Sequence, residues 1–264
     1  MKIGFIGLGN MAKAMIGGML ETGIATKEDI IGTAKTQATR DAVCAKWGIE
    51  TFADNRLVAG CADVLVLAVK PQFFAEVLPE IKEEIKKDTL ILSIAAGKST
   101  EEIEKMLGKK YKIARCMPNT PALVGEGCSA VCFNEEVSAK EKELCMKLLG
   151  SFGMAEEIPE KLFDAFTGIS GSSPAFVFMF MEALADGGVA AGLPRKQAYA
   201  FAAQAVMGSA KLMLETGKHP GELKDMVCSP GGTTIEGVHV LEEKGLRGIV
   251  MDAVKATVEK SKNM

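Results

Sequence analysis

The opening stretch "KIGFIGLGNMA" constrains the fold more than any other part of the chain. A short apolar run ends in Gly7-x-Gly9-x-x-Ala12, and Met11, Met15, Met19 and Leu20 then recur at helical spacing until Gly23. The apolar run reads as a buried strand and the periodic segment as a helix. In that strand-to-helix setting the glycine pattern has a physical reading. Gly7 makes the tight turn, Gly9 lets a diphosphate approach the backbone, and Ala12 keeps helix and strand close. The helix N-terminus adds outward N–H groups and partial positive charge, which suit an anion.

The same alternation continues through the first part of the chain. "DIIGTAK", "VLVLAVK", "TLILSIA", "KIARCMPN", "GCSAVCFN" and "MAEEIP" read as strands. "TQATRDAVCAKWG", "FAEVLPEIKEEIKK", "STEEIEKMLG" and "SAKEKELCMKLLGSFG" read as helices, the second starting near Phe73 and the third capped by Ser99 or Thr100. Strands alternating with helices imply a parallel sheet covered on both faces. After Pro159 no strand pattern remains. Helical runs such as "MFMEALADGGVAAG" and "AYAFAAQAVMGSAKLML" are apolar nearly all round, so they must be buried on every side. About a hundred residues cannot enclose so many apolar faces alone, which points to a second subunit. The expected plan is an α/β dinucleotide-binding domain over residues 1–159 and an all-α domain over residues 160–264.

Composition narrows the setting. The 264 residues are 48% hydrophobic and 25% charged with a net charge of −3. That balance gives no pull toward nucleic acid or an anionic membrane surface. Seven cysteines form no CxxC pair, no His cluster accompanies Cys128 and Cys132, and the expected use is as reduced, small buried residues in a cytoplasm, with no metal. No signal peptide is expected before a first strand that starts at once. The apolar run "PAFVFMFM", ended by Glu182, is too short to span a bilayer.

Two further sites invite charge. At the end of the second strand an NAD site offers Asp or Glu to the ribose hydroxyls. This chain reads "GTAKTQATR" there, with no carboxylate. Thr33, Lys35, Thr36 and Arg40 supply the donors and positive charge that a 2′-phosphate wants, which favours NADPH over NADH. Near the C-terminus, "SPGGTTIEGVHVLEE" sets Gly231, Gly232, Thr233 and Thr234 at a helix start behind Pro230. That is a second anion turn. Thr233-x-x-Glu236 also matches a capping box, so the Thr233 hydroxyl has two readings, ligand or cap.

Six stretches in order carry a resemblance: Gly7-Leu8-Gly9-Asn10-Met11-Ala12, "AVKPQ" at 68–72, "SIAAG" at 93–97, "RCMPNTPALVGEG" at 115–127, "GISGSSPAF" at 168–176 and "KDMVCSPGGTTIEGVHVLE" at 224–242. Together they resemble the pyrroline-5-carboxylate reductase family over essentially the whole chain. The last stretch is the most specific and the glycine turn the least. The resemblance implies a Rossmann-type domain followed by a helical dimerisation domain that interlocks two subunits, some members assembling dimers into decamers. It implies reduction of L-1-pyrroline-5-carboxylate to L-proline, the last step of proline synthesis, by NADPH or NADH. By position, the cofactor would contact Gly7 to Ala12, Ala34, Lys35, Asn55, Ala68, Val69, Lys70, Pro71, Ala95, Ala96, Gly97 and Asn119. Asn119, between two prolines, also reads as a turn residue, and Lys70 as a surface charge.

The substrate would contact Ser172, Gly231, Gly232, Thr233 and Thr234, its carboxylate on the second anion turn. Hydride transfer needs two carbons near contact and a favoured iminium form rather than an acidic triad. The Thr234 hydroxyl is the candidate to hydrogen-bond the ring nitrogen. Where the family usually reads Gly-Ser-Gly-Pro-Ala, this chain has Gly171-Ser172-Ser173-Pro174-Ala175, which puts a side chain near the expected substrate mouth. Of two histidines, His219 precedes Pro220 as a surface or cap residue, and His239 is expected at a packing contact. Two rival readings stand beside this one. A β-hydroxyacid dehydrogenase would need a catalytic lysine that "GSSPAFVFMFMEALADGG" lacks. A non-enzymatic NADP(H)-binding dimer would have no use for the second anion turn.

Overall fold

The computed structural model describes residues 1–263. Its strands are β1 (Ile3–Ile6), β2 (Ile30–Thr33), β3 (Glu50–Phe52), β4 (Val64–Leu67), β5 (Leu90–Ser93), β6 (Lys112–Met117), β7 (Gly127–Phe133) and β8 (Gly153–Glu157). They form one eight-stranded sheet in the order β3-β2-β1-β4-β5-β6-β7-β8. Helices α1 (Asn10–Glu21), α2 (Gln37–Trp47), α3 (Asn55–Cys61), α4 (Phe74–Ile81), α5 (Thr100–Leu107) and α6 (Ala139–Gly150) cover it.

Burial on both faces explains the unbroken apolar strands. Side chains alternate across a strand, and each face has its own core. Ile3 and Phe5 of β1 and Val64 and Val66 of β4 join Met15, Met19, Leu148 and Phe152. Ile6, Leu65 and Leu67 join Val58, Phe74, Leu78 and Ile103 on the other face. Ile6 stands level with both Thr33 and Leu67, so the β1 tip lies between the tips of β2 and β4.

The sheet is parallel except at β6–β7, which pair antiparallel. The connection explains the difference from an all-parallel expectation. Residues 118–126 hold only a 3₁₀ turn, Thr120–Val124, and a parallel crossover needs about a dozen residues or more. The structure also contains β3 and α3, which the sequence reading passed over. The strand has three residues at the sheet edge, and the helix has seven, with the Asp54 side chain accepting from the Arg56 N–H at 2.9 Å. Helix α4 stops at Ile81, short of the charged run that the periodicity carried onward. Lys86 instead reaches the Cys61 carbonyl at 2.9 Å and Asp63 at 3.1 Å.

The rest of the chain is helical: α7 (Phe163–Phe166), a π turn at Thr167–Gly171, then α8 (Ser173–Ala190), α9 (Arg195–Thr216), α10 (Pro220–Val227), α11 (Thr233–Glu243) and α12 (Leu246–Lys262). The chain divides into two compact units. One is Met1–Gly171 with the chain from Val258 onward, and the other is Ser172–Thr257. Within the first unit the Ser261 hydroxyl donates to Asp164 at 2.7 Å.

The second unit has little interior of its own. Its buried cluster is Ala185, Ala198 and Ala202, with Met181 and Val189 packed against it. Phe178 and Met179 stand 63% and 69% exposed on α8, and Phe201 and Met207 are exposed on α9. Helices apolar on every side therefore lack cover. The stretch Glu160–Ala190 is long and apolar enough to cross a membrane by length and composition, beyond the eight-residue run that the sequence reading weighed. A single such helix is weak evidence of a span.

All seven cysteines are free. Cys116, Cys132 and Cys145 are buried as expected, whereas Cys44 and Cys61 are exposed, which corrects the reading of all seven as core residues. Burial pushes the Cys132 and Cys145 thiols up to about 12, so they stay protonated and inert.

Candidate active site

The first unit carries a cleft of about 390 Å³ at the carboxyl ends of β1, β2 and β4, lined by Gly7, Gly9, Ala34, Lys35, Asn55 and Lys70 among others. Ligands of open parallel sheets bind at that edge. Gly7 has φ +98, and a Cβ there would lie 2.9 Å from the Ala68 carbonyl carbon and oxygen. No other residue type fits that turn without strain. Gly9 is the N-cap of α1, with no side-chain cap bond. A Cβ on Gly9 would meet nothing within 4 Å, so it would project into open space that the turn leaves clear. The uncapped first-turn N–H groups of α1 have no intrahelical acceptor. This cradle fits a dinucleotide diphosphate.

Ala34, Ala68 and Val69 line the same cleft. Leu8 does so only through its neighbours, because its side chain is 2% exposed and packs under Gly32. Met11 and Ala12 serve the fold, Ala12 in the core and Met11 packed against it. Asn10 lines a different groove, with Lys13, Trp47 and Val124. Pro71 opens a 3₁₀ turn capped by Lys70. Ala95, Ala96 and Gly97 follow β5 outside the cleft lining, and Gly97 takes φ +68.

Asn119 departs from its expected place. It is 8% exposed, and its Nδ2 donates to the Ser170 carbonyl and hydroxyl oxygens, each at 3.1 Å. Its Oδ1 accepts from the Cys128 N–H at 2.8 Å. The side chain is a strut joining β7 to the π turn and lies outside the cleft lining, which favours the turn reading.

At the β2 tip the donors divide their work. Thr33 is 1% exposed and gives its hydroxyl proton to Asn55 Oδ1 at 2.7 Å. Thr36 caps α2, accepting from the Thr39 N–H. Arg40 holds the Ala34 carbonyl and Gln37. Of the four, only Lys35 is both exposed and part of the cleft lining, with its ammonium uncommitted. Sequence reasoning missed five lining residues: Ala53, Phe73, Glu76, Val77 and Glu80. The available signal was the i, i+4 spacing of Glu76 and Glu80 on the helix that follows the turn after Lys70.

In the second unit, the Ser229 carbonyl accepts from the Gly232 N–H at 3.0 Å, and Gly231 takes φ +66. Pro230 and Gly231 are thus the two central residues of a tight turn. Gly232 is the N-cap of α11, and a Cβ there would lie 2.3 Å from Ser229 Oγ and 3.1 Å from the Ser229 carbonyl oxygen. Thr233 is the first helical residue and makes no cap bond. The capping-box reading therefore fails, because the cap position belongs to Gly232, one residue earlier. Thr234 is half-buried on the first turn. The opening N–H groups of α11 remain open to an anion. Ser172, at the N-cap of α8, makes no side-chain cap bond.

Ser173 opens α8, and no non-glycine residue among those described takes a positive φ. The departure from glycine is absorbed without backbone strain. His219 caps α10, its Nδ1 accepting from the Gly221 N–H at 3.1 Å. His239 is exposed in this chain. Among the described residues no cluster of His, Cys, Asp or Glu could hold a metal ion.

Comparison with known proteins decides the family. A pyrroline-5-carboxylate reductase from Escherichia coli (strain K12) is 49% identical over 263 residues, covering 100% of this chain and 98% of its own length. The chain belongs to the pyrroline-5-carboxylate reductase family. The pyrroline-5-carboxylate reductase dimerisation family matches residues 160–264, and a family described as NADP oxidoreductase coenzyme F420-dependent matches residues 2–97. The solved pyrroline-5-carboxylate reductase of Coxiella burnetii superposes with a TM-score of 0.93 at 37% identity, covering 99% of this chain and 97% of that one. The Plasmodium falciparum pyrroline carboxylate reductase, solved with NADP bound, gives a TM-score of 0.88 at 36% identity over 99% and 97% of the two chains. The chain is thus an NAD(P)H-dependent oxidoreductase of Rossmann type with a helical dimerisation domain. It forms a homo-oligomer and takes a small-molecule substrate.

Proposed function

We propose that this chain reduces L-1-pyrroline-5-carboxylate to L-proline, with NADPH as the favoured donor and NADH as a second one. One observation carries the reading: a chain 49% identical over its full length bears that enzyme's name. NADPH, when bound, supplies the hydride that adds to the imine carbon. The chain's own residues hold, orient and shield. The α1 turn at Gly7 to Ala12 takes the diphosphate, and Lys35 takes the 2′-phosphate as a compact cation. The first-turn amides of α11, behind Gly231 and Gly232, take the substrate carboxylate. The Thr234 hydroxyl bonds the ring nitrogen and fixes its orientation, and water delivers the proton that the nitrogen gains.

The exposed apolar faces of α8 and α9 support an interlocked dimer as the working form, with a decamer as its higher assembly. A second copy, rather than lipid, covers Glu160–Ala190 in this reading. Seven free thiols suit a reducing cytoplasm.

Steady-state assay with pyrroline-5-carboxylate, following NADPH loss and NADH loss in parallel, tests the activity. Imine-dependent oxidation of NADPH is expected, with proline-dependent reduction of NADP⁺ at high pH. Absence of both would overturn the reading.

A further inference from the structure

The β2 tip has no carboxylate in sequence, yet the fold brings one there. Asn55 Nδ2 donates to Glu80 Oε2 at 2.9 Å, while Asn55 Oδ1 accepts from Thr33 at 2.7 Å. Thr33 is the last residue of β2, and its carbonyl accepts from Gly7 N at 3.1 Å. A relay of three hydrogen bonds thus runs from the diphosphate turn through the β2 tip to α4. Asn55, Glu80 and Lys35 all line one cleft. The carboxylate also fixes the Asn55 amide. Turned over, the amide would present its oxygen to Glu80, two acceptors facing each other.

We propose that Glu80 sets the balance between NADPH and NADH, acting from α4 as the ribose-side carboxylate that the β2 tip lacks. The inference rests on the dinucleotide reading above. Lys35 and Glu80 line the same cleft with opposite charges. The ammonium favours a 2′-phosphate. The carboxylate repels that dianion and can itself accept a hydrogen bond from a free ribose hydroxyl. Glu80 is a specificity-determining residue acting through its own charge in the cleft. Lys35 accounts for an NADPH preference, and Glu80 explains why NADH remains a usable donor.

The test is a binding titration of the full-length protein, following nicotinamide fluorescence with NADPH and NADH separately, at low and high salt. Glu80→Gln keeps the side chain's shape and removes its charge. The ratio of NADH to NADPH dissociation constants is expected to rise about three- to tenfold in Glu80→Gln. The rise should shrink at high salt, because exposed charges are screened. Glu80→Asp keeps the charge and should stay nearer the parent ratio, which a merely structural role would not produce. Lys35→Ala should move the ratio the other way. Equal changes for both nucleotides in Glu80→Gln, or a shift toward NADH, would overturn the proposal. Failure of the parent protein to bind either nucleotide would instead overturn the dinucleotide reading itself.

Discussion

Single residues carry the chemistry proposed here, and two of them give sharp expectations. An unperturbed threonine hydroxyl is a poor acid, so Thr234 contributes a hydrogen bond rather than a proton relay. Thr234→Ala should lower kcat/KM about 5- to 150-fold, the equivalent of about 1–3 kcal/mol. Thr234→Ser should recover most of that loss in the same steady-state assay. An alanine variant with unchanged kcat/KM would remove Thr234 from the mechanism. Gly7 is constrained for a different reason. Its φ of +98 and the Ala68 carbonyl at 2.9 Å leave no place for a methyl group. Gly7→Ala should cost about 1–3 kcal/mol of stability, read as a lower thermal midpoint, together with weaker NADPH binding by fluorescence.

Elements place those residues, and much of that placement was legible in the chain. The Gly7-x-Gly9-x-x-Ala12 turn and the apolar strands could be read directly, because burial on both faces leaves an unbroken Val/Leu pattern. Ser99 was legible as one of two candidate caps, beside Thr100. It caps α5 in a reciprocal box, its hydroxyl accepting from the Glu102 N–H at 3.1 Å while the Glu102 carboxylate accepts the Ser99 N–H at 2.8 Å. What escaped was non-local. The backbone turn from Pro230 to Gly232 moved the α11 cap off Thr233, which no i, i+3 pattern reveals. Glu80 meets Asn55 only because α3 and α4 lie side by side under the sheet, and α3 was too short to show periodicity.

The Ser99 box carries a pH prediction. Hydrogen bonding from the Ser99 backbone holds the Glu102 carboxyl below its usual range. A depressed folded-state value adds stability above the unfolded-state value, and that stability drains away as pH falls through the folded one. Glu102→Ala should therefore be less stable than the parent at pH 7, with the gap in denaturant midpoint closing as pH falls below the ordinary carboxylate range. A gap that stays constant across that range would remove Glu102 as its source.

At the scale of the whole molecule, the two units are stabilised in different ways. The first has a core on each side of its sheet and buries Phe5, Phe74 and Phe152 fully. The second buries little more than three alanines while Phe178 and Met179 face outward. Its stability must therefore depend on protein concentration, as expected when folding and association are linked. Phe178→Glu should convert the oligomer to monomer in sedimentation velocity and lower the thermal midpoint, while leaving the far-ultraviolet signature of the sheet intact. An unchanged sedimentation coefficient would place the contact elsewhere.

The Ser261–Asp164 bond has a consequence for biosynthesis. The segment from Val258 onward belongs with the first unit, although the whole of Ser172–Thr257 is translated in between. The nucleotide-binding half can assemble its sheet early on the ribosome, yet its final fastening must wait until residue 261 has left the exit tunnel. A nascent chain stalled before that point would present a nearly finished sheet with Asp164 still awaiting its donor.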